Sequence, residues 1–315
     1  MHSAHGKRIY LQEVAVRDGL QIEPVFVPTA TKIDLVNRLA RTGLAKIEVT
    51  SFVSPKAIPA LADAEAVMRG IRREAGVEYA ALVPNVRGCE RALACAVDEI
   101  NLVISASETH NRANLRMGRD QSLAQFAAIA PMALGHAAVN VSISTSFGCP
   151  FEGPIAAEAV LRLIERIAQL GIGRMSLCDT TGMANPNLVH ALVQTVRRAW
   201  PDLVLTAHFH DTRGMALANV VAALEAGIDR FDASLGGLGG CPFAPGASGN
   251  ACMEDLTHML QAMGYDTRVD LGALLDLARE LPAIVGHEVP GLVMKAGPWN
   301  RRYPAPQDLQ GTRQR

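Results

Sequence analysis

The sequence predicts a (β/α)8 TIM barrel. Runs of apolar and β-branched residues alternate with amphipathic helical stretches eight times in succession. Gly43, Gly76, Gly171 and Gly227 each stand where a helix should stop, the position of a left-handed C-terminal cap. The pattern Gly-x-Gly-x-x-Gly, which would favour a doubly wound open sheet, does not follow the first strand.

The elements follow in order. A first strand spans residues 9–16, and Thr29 or Thr31 caps a helix that runs through Leu39. Further strands are expected at 47–50, 79–83, 99–105, 139–146, 174–178, 203–210 and 230–235. The helices between them fall at 59–73, 87–96, 122–136, 156–170, 186–200 and 215–226. A glycine-rich loop follows the eighth strand, and then a helix at 250–263. No linker interrupts the pattern, so residues 1–315 read as one domain with a C-terminal helical extension from about 270. A Pro- and Gly-rich end is expected to be poorly ordered beyond Pro304.

Composition limits the functions open to such a barrel. With 49% hydrophobic and 19% charged residues, the chain has the balance of a globular enzyme rather than a disordered segment. Aromatics at 4% and a net charge of -1 give no platform for nucleic acid and no attraction to an acidic membrane. No apolar run reaches the ~18 residues that span a bilayer. Residues 1–8 lack the apolar core of a signal peptide, so a cytoplasmic protein is expected. The six cysteines, Cys89, Cys95, Cys149, Cys178, Cys241 and Cys252, form no Cys-x-x-Cys pair and are expected to be reduced.

In a barrel of this kind the active site lies at the C-terminal ends of the strands. His208 and His210 close strand seven two residues apart, so both imidazoles share one face. Such a pair is half of a metal site. Asp18 ends strand one and Asn250 follows the glycine-rich loop, which completes a set of one carboxylate, two imidazoles and one amide oxygen. With no thiolate, that set suits Mg²⁺, Mn²⁺ or another divalent ion better than a closed structural zinc site. Arg17, Glu48, Ser51, Ser107, Glu108 and Asp179 add polar groups at other strand ends. The loop 235–250 sets glycine and proline hinges on both sides of one thiol, Cys241, as a lid that orders over substrate would.

Several stretches together resemble 3-hydroxy-3-methylglutaryl-CoA lyases. They are Glu13-Val-Ala-Val-Arg-Asp-Gly-Leu-Gln21, Ser51-Phe-Val-Ser-Pro-Lys56, Asp179-Thr-Thr-Gly182, His208-x-His-Asp211, Ala216-Leu-Ala-Asn219, Gly239-Gly-Cys-Pro-Phe243 and Gly246-Ala-Ser-Gly-Asn250. They cover about residues 8–280 in the expected order. The resemblance implies a metal-dependent carbon-carbon lyase that cleaves a 3-hydroxyacyl-CoA to acetyl-CoA and a 3-oxo acid such as acetoacetate. It implies Asp18, His208, His210 and Asn250 as metal ligands, and Arg17, Asp18, Glu48, Asp179, Cys241 and Glu254 in or beside catalysis. Arg17, Gln21, Ser51, His110 and Asn114 are the residues expected at the substrate. An acyl-CoA partner, a homo-oligomer (dimer or tetramer) and a place in leucine degradation and ketone-body metabolism go with the same resemblance.

One segment departs from the lyase pattern. Ser107, Glu108 and Asn114 fit it, but His110, Leu115-Arg116-Met117 and Arg119 are more similar to isopropylmalate and homocitrate synthases. That keeps a Claisen-condensing synthase as the alternative. It also makes His110, Arg112 and Arg116 candidate donors for a different acyl group. A non-catalytic barrel used for binding is the third reading, and the full ligand set opposes it.

Overall fold

The structure is a computed structural model that describes residues 6–240 and 249–304. Eight parallel strands close into a barrel: β1 (Tyr10–Glu13), β2 (Lys46–Ser51), β3 (Glu78–Leu82), β4 (Glu99–Ser105), β5 (Ala138–Ser144), β6 (Arg174–Asp179), β7 (Val204–Phe209) and β8 (Arg230–Ala233). Each strand pairs with its neighbours in sequence. β1 closes on β8, with Tyr10 beside Arg230 and Glu13 beside Ala233. The helices are α1 (Thr29–Ala40), α2 (Ala64–Gly70), α3 (Val86–Leu93), α4 (Glu108–Leu115), α5 (Arg119–Ala133), α6 (Ala157–Ala168), α7 (Pro186–Ala199), α8 (Ala216–Glu225), α9 (Met253–Ala262), α10 (Leu271–Val285) and α11 (Val293–Ala296). The eight-fold alternation and the (β/α)8 fold are therefore as the sequence predicts. Gly43, Gly171 and Gly227 take positive φ just past helix ends, as expected; Gly76 also has positive φ but stands in the turn before β3, well after α2 ends at Gly70.

Alternation along each strand sorts the side chains. Ile47 and Val49 of β2 join the apolar shell between strands and helices, while Lys46 and Glu48 turn into the barrel. The barrel interior is polar and hydrogen-bonded in layers. At its floor Lys46 Nζ reaches Glu99 Oε1 at 2.5 Å and Arg174 reaches Glu99 Oε2 at 2.9 Å. Above them Asn140 Nδ2 donates to Asn101 Oδ1 at 3.0 Å, and Asn101 Nδ2 donates to Glu48 Oε1 at 2.8 Å. These side chains are paired with one another, and all but the partly exposed Arg174 are buried.

Four predicted boundaries move for identifiable reasons. β1 stops at Glu13 rather than Val16, because the Glu13 carboxylate accepts the Ala15 N–H at 2.7 Å and the chain winds into a π-turn, Ala15–Gly19. α1 is not capped by Thr29 or Thr31. Pro28 precedes it, and Thr29 Oγ1 donates to Asp63 at 2.7 Å instead. The stretch 59–73 divides into a 3-10 turn, Pro59–Leu61, and α2. The helix expected from 250 begins at Met253. The sequence reading missed α4, a short polar helix capped by Ser107, whose Oγ accepts the His110 N–H at 3.0 Å. After α9 the chain continues as α10 and α11. No helix of the described residues is long and apolar enough to cross a membrane. Cys89, Cys95, Cys149, Cys178 and Cys252 are all free thiols.

Candidate active site

The π-turn after β1 aims two consecutive polar side chains, Arg17 and Asp18, at the barrel mouth. The Asp18 N–H bonds back to Val14 O at 2.7 Å, which fixes the turn. Both side chains are buried. Arg17 Nε donates to Glu48 Oε2, and its Nη1 donates to Asp18 Oδ1. Burial disfavours the Arg17 charge, but Asp18 and Glu48 outweigh it and keep the guanidinium protonated. Asp18 Oδ1 also accepts from Gln21 Nε2 at 2.9 Å, and its Oδ2 accepts from Asn250 Nδ2 at 2.8 Å.

β7 brings the imidazoles to the same place. His208 and His210 sit side by side with ring centroids 5.2 Å apart. Asp18, His208 and His210 each offer a ligand atom, all within 4.8 Å of one another. Asn250 is held beside them by a backbone bridge to His210, and its Nδ2 also donates to Leu238 O at 2.9 Å. Asn250 Oδ1 and His210 Nδ1 are buried and take no hydrogen bond from the described residues. Buried polar atoms left open beside a carboxylate are what an ion would satisfy, so the donor set fits a divalent cation.

The electrostatics put Asp18 and His210 in their ligating forms. Burial opposes ionisation of Asp18, but Arg17 and the two imidazoles hold its carboxyl down at about 2. Burial and the neighbouring His208 push His210 down to about 4, so its ring is neutral. Burial also opposes protonation of His208, but the Asp232 carboxylate, 3.3 Å from Nδ1, reverses that and raises its pKa.

The site opens into a cavity of about 210 Å³. Arg17, Asp18, Gln21, Ser51, His110, Asn114, His208 and His210 all line it. Its opposite wall is apolar, with Leu82, Val83, Val103, Leu115, Met117 and Phe126. Glu48 stands behind Arg17. Asp179 and Glu254 do not line the cavity. Asp179 Oδ1 accepts the N–H groups of Met183 and Ala184 at 2.7 and 3.1 Å and so holds the turn after β6. Burial raises its pKa to about 6. Glu254 Oε2 accepts the Gly236 N–H at 3.0 Å, at the root of the glycine-rich loop. Cys241 lies outside the described residues, but Gly240, which precedes it, is on the cavity wall.

Of the three donors expected after β4, only His110 enters the cavity. Its Nδ1 meets Ser105 Oγ at 2.7 Å, and burial lowers its pKa. Arg112 is exposed and pairs with Glu108 at 2.8 Å, and Arg116 is an exposed left-handed helix cap. The sequence reading missed Asp232. It stands beside His208 in the β7–β8 register and lines the cavity. An inward position on an alternating strand is the signal in the sequence that points to it.

The comparisons agree with this geometry. The HMGL-like family model matches residues 8–281. A hydroxymethylglutaryl-CoA lyase of Bacillus subtilis is 48% identical over 285 residues, covering 90% of this chain and 95% of that protein. An (R)-citramalyl-CoA lyase of Chloroflexus aurantiacus is 40% identical over 301 residues, covering 92% and 95%. Among solved structures, an HMG-CoA lyase of Acinetobacter baumannii in complex with coenzyme A and 3-methylmalate superposes with a TM-score of 0.92. It is 50% identical, with 97% of this chain and 99% of that chain covered. With its barrel, its Asp-His-His cluster and the family model all in agreement over nearly the same residues, the chain belongs to the HMGL-like family.

Proposed function

We propose that this protein cleaves 3-hydroxy-3-methylglutaryl-CoA to acetyl-CoA and acetoacetate. The observation that carries the reading is the Asp18-His208-His210 cluster, with the open Asn250 Oδ1 beside it and Arg17 pinned one residue away. A divalent ion held by Asp18, His208, His210 and Asn250, Mg²⁺ or Mn²⁺, would lower the pKa of the substrate's tertiary hydroxyl and hold its neighbouring carboxylate. Asp18, or a water it orients, takes the hydroxyl proton. The C2–C3 bond then breaks, and its electron pair passes into the thioester enolate. Glu48 and Asp18 fix Arg17 through Nε and Nη1, so Nη2 is the nitrogen left for the enolate oxygen. Cys241 returns a proton to the enolate carbon. That role comes from the family resemblance, and the cavity-lining Gly240 next to it supports it.

The relatives described above are lyases, so the condensing-synthase alternative is not favoured. An acyl-CoA partner, a homo-oligomeric state, a cytoplasmic place and service in leucine degradation and ketone-body metabolism belong to the same proposal and rest on the resemblance. The test is kcat/KM for 3-hydroxy-3-methylglutaryl-CoA beside citramalyl-CoA, with Cys241→Ala as control. The first thioester should be the better substrate, and the variant should lose about 100-fold in kcat. A preference for citramalyl-CoA would assign the chain to that acyl group instead.

A further inference from the structure

Glu13 neither lines the cavity nor belongs to the ligand set, yet it touches both halves of the site. It is fully buried at 0% exposure. Its Oε1 accepts two backbone N–H groups, Ala15 at 2.7 Å and Leu235 at 2.9 Å. Ala15 is the first residue of the turn that carries Arg17 and Asp18. Leu235 is the first residue of the 3-10 turn Leu235–Gly237, from which the chain runs through Gly239 and Gly240 toward Cys241. The two segments also meet directly. A Cβ on Gly19 would stand 2.9 Å from the Leu238 side chain, and one on Gly239 would stand 3.5 Å from Asp18 Oδ2. Glu254 grips the next amide, Gly236 N–H, at 3.0 Å.

Glu13 is costly where it sits. Its Oε2 is buried without a hydrogen bond from the described residues, and burial raises its pKa. An open acceptor inside a packed barrel calls for a reason, and the two amides held by the other oxygen supply one. They lie 220 residues apart in sequence and begin the two segments whose spacing the site depends on.

We infer that Glu13 is a positioning residue: one carboxylate oxygen locks the Arg17–Asp18 turn to the base of the glycine-rich loop. Its effect on turnover rests on the lyase reading above, whereas its effect on the two segments does not. The pair of contacts sets the spacing between the turn and the described base of the loop, 235–240. Misplacement of about 1 Å at such a distance is enough to cost a large factor in rate.

The experiment compares Glu13→Ala and Glu13→Gln in the full chain by hydrogen exchange and by steady-state kinetics. In Glu13→Ala, amide exchange in residues 14–19 and 234–240 should rise together by about tenfold or more. Its kcat should fall about tenfold or more while KM moves much less. Glu13→Gln keeps an oxygen at the same reach and should retain both the protection and most of kcat. Three results would overturn the inference: exchange that rises in one segment alone, a Glu13→Ala enzyme with unchanged kcat, or a Glu13→Gln variant as impaired as Glu13→Ala. If Glu13→Ala does not fold, Glu13→Asp, a methylene too short to hold both amides, is read by the same criteria. A wild-type chain inactive on the thioester would sink the lyase reading, and the exchange data would then decide the locking role on their own.

Discussion

His208 takes its chemistry from its neighbour on the adjoining strand. Asp232 stands beside it in register and meets Nδ1, which fixes the ring's orientation and leaves Nε2 for a ligand. Asp232→Ala should therefore weaken Mn²⁺ binding by about 10- to 100-fold, and titration followed by electron paramagnetic resonance reads this directly. Unchanged affinity would mean the contact is incidental. Glu13 makes a different prediction, for stability. Burial raises its carboxyl to about 8 in the folded protein, against about 4.3 for an unfolded chain. The folded state thus keeps a proton that the unfolded state gives up. The stabilisation is complete below pH about 4.3 and is lost as pH rises toward about 8. Glu13→Gln should flatten that decline by about one proton's worth, measured as the slope of unfolding free energy against pH. An identical slope in both proteins would show that Glu13 is already ionised when folded. The imidazole pair was legible in the sequence, because strand alternation places His208 and His210 on one face. Asp232 and Glu13 were not, since each acts through a partner far away in the chain.

The π-turn after β1 and the helix α4 show the limit of local pattern. Val14, Ala15 and Val16 continue the apolar run of β1, so the sequence reads as strand to Val16. The structure ends the strand at Glu13, whose carboxylate accepts the Ala15 N–H and also that of Leu235, just after the adjoining β8, a contact that no window of sequence contains. α4 is hidden for the opposite reason. Its residues are polar, and Ser107, Asn111 and Glu108 stabilise it through side-chain hydrogen bonds rather than an apolar face. The cost of that error was functional, because a loop would have offered three basic groups to substrate while the helix offers only His110. The loop root makes its own prediction. Gly239 has φ +113°, and a Cβ there would stand 2.5 Å from Asn250 Nδ2. Gly239→Ala should displace the Asn250 amide and weaken Mn²⁺ binding about tenfold or more, a loss that calorimetry can measure. Wild-type affinity in that variant would remove Asn250 from the ligand set.

At the scale of the whole molecule the barrel was the most legible feature. Eight alternations and the glycine stops at Gly43, Gly171 and Gly227 needed only local chemistry to read, and the strands close with β1 on β8. The polar interior was less visible. Lys46, Glu48, Glu99, Asn101 and Asn140 look like scattered polar residues in strands, and only closure brings them together: Lys46 with Glu99, and Asn140 through Asn101 to Glu48 in a hydrogen-bonded column beneath the site. That column ends at Arg17, beside the carboxylate and the two imidazoles, so fold and chemistry converge on one claim: turnover needs a divalent ion at the barrel mouth. The most direct test is the release of acetyl-CoA and acetoacetate from 3-hydroxy-3-methylglutaryl-CoA before chelation, after exhaustive chelation, and after Mg²⁺ or Mn²⁺ is returned. The account predicts that activity disappears with the metal and comes back with it in the wild-type protein, but not in His208→Ala. Full turnover by the chelated protein would contradict it.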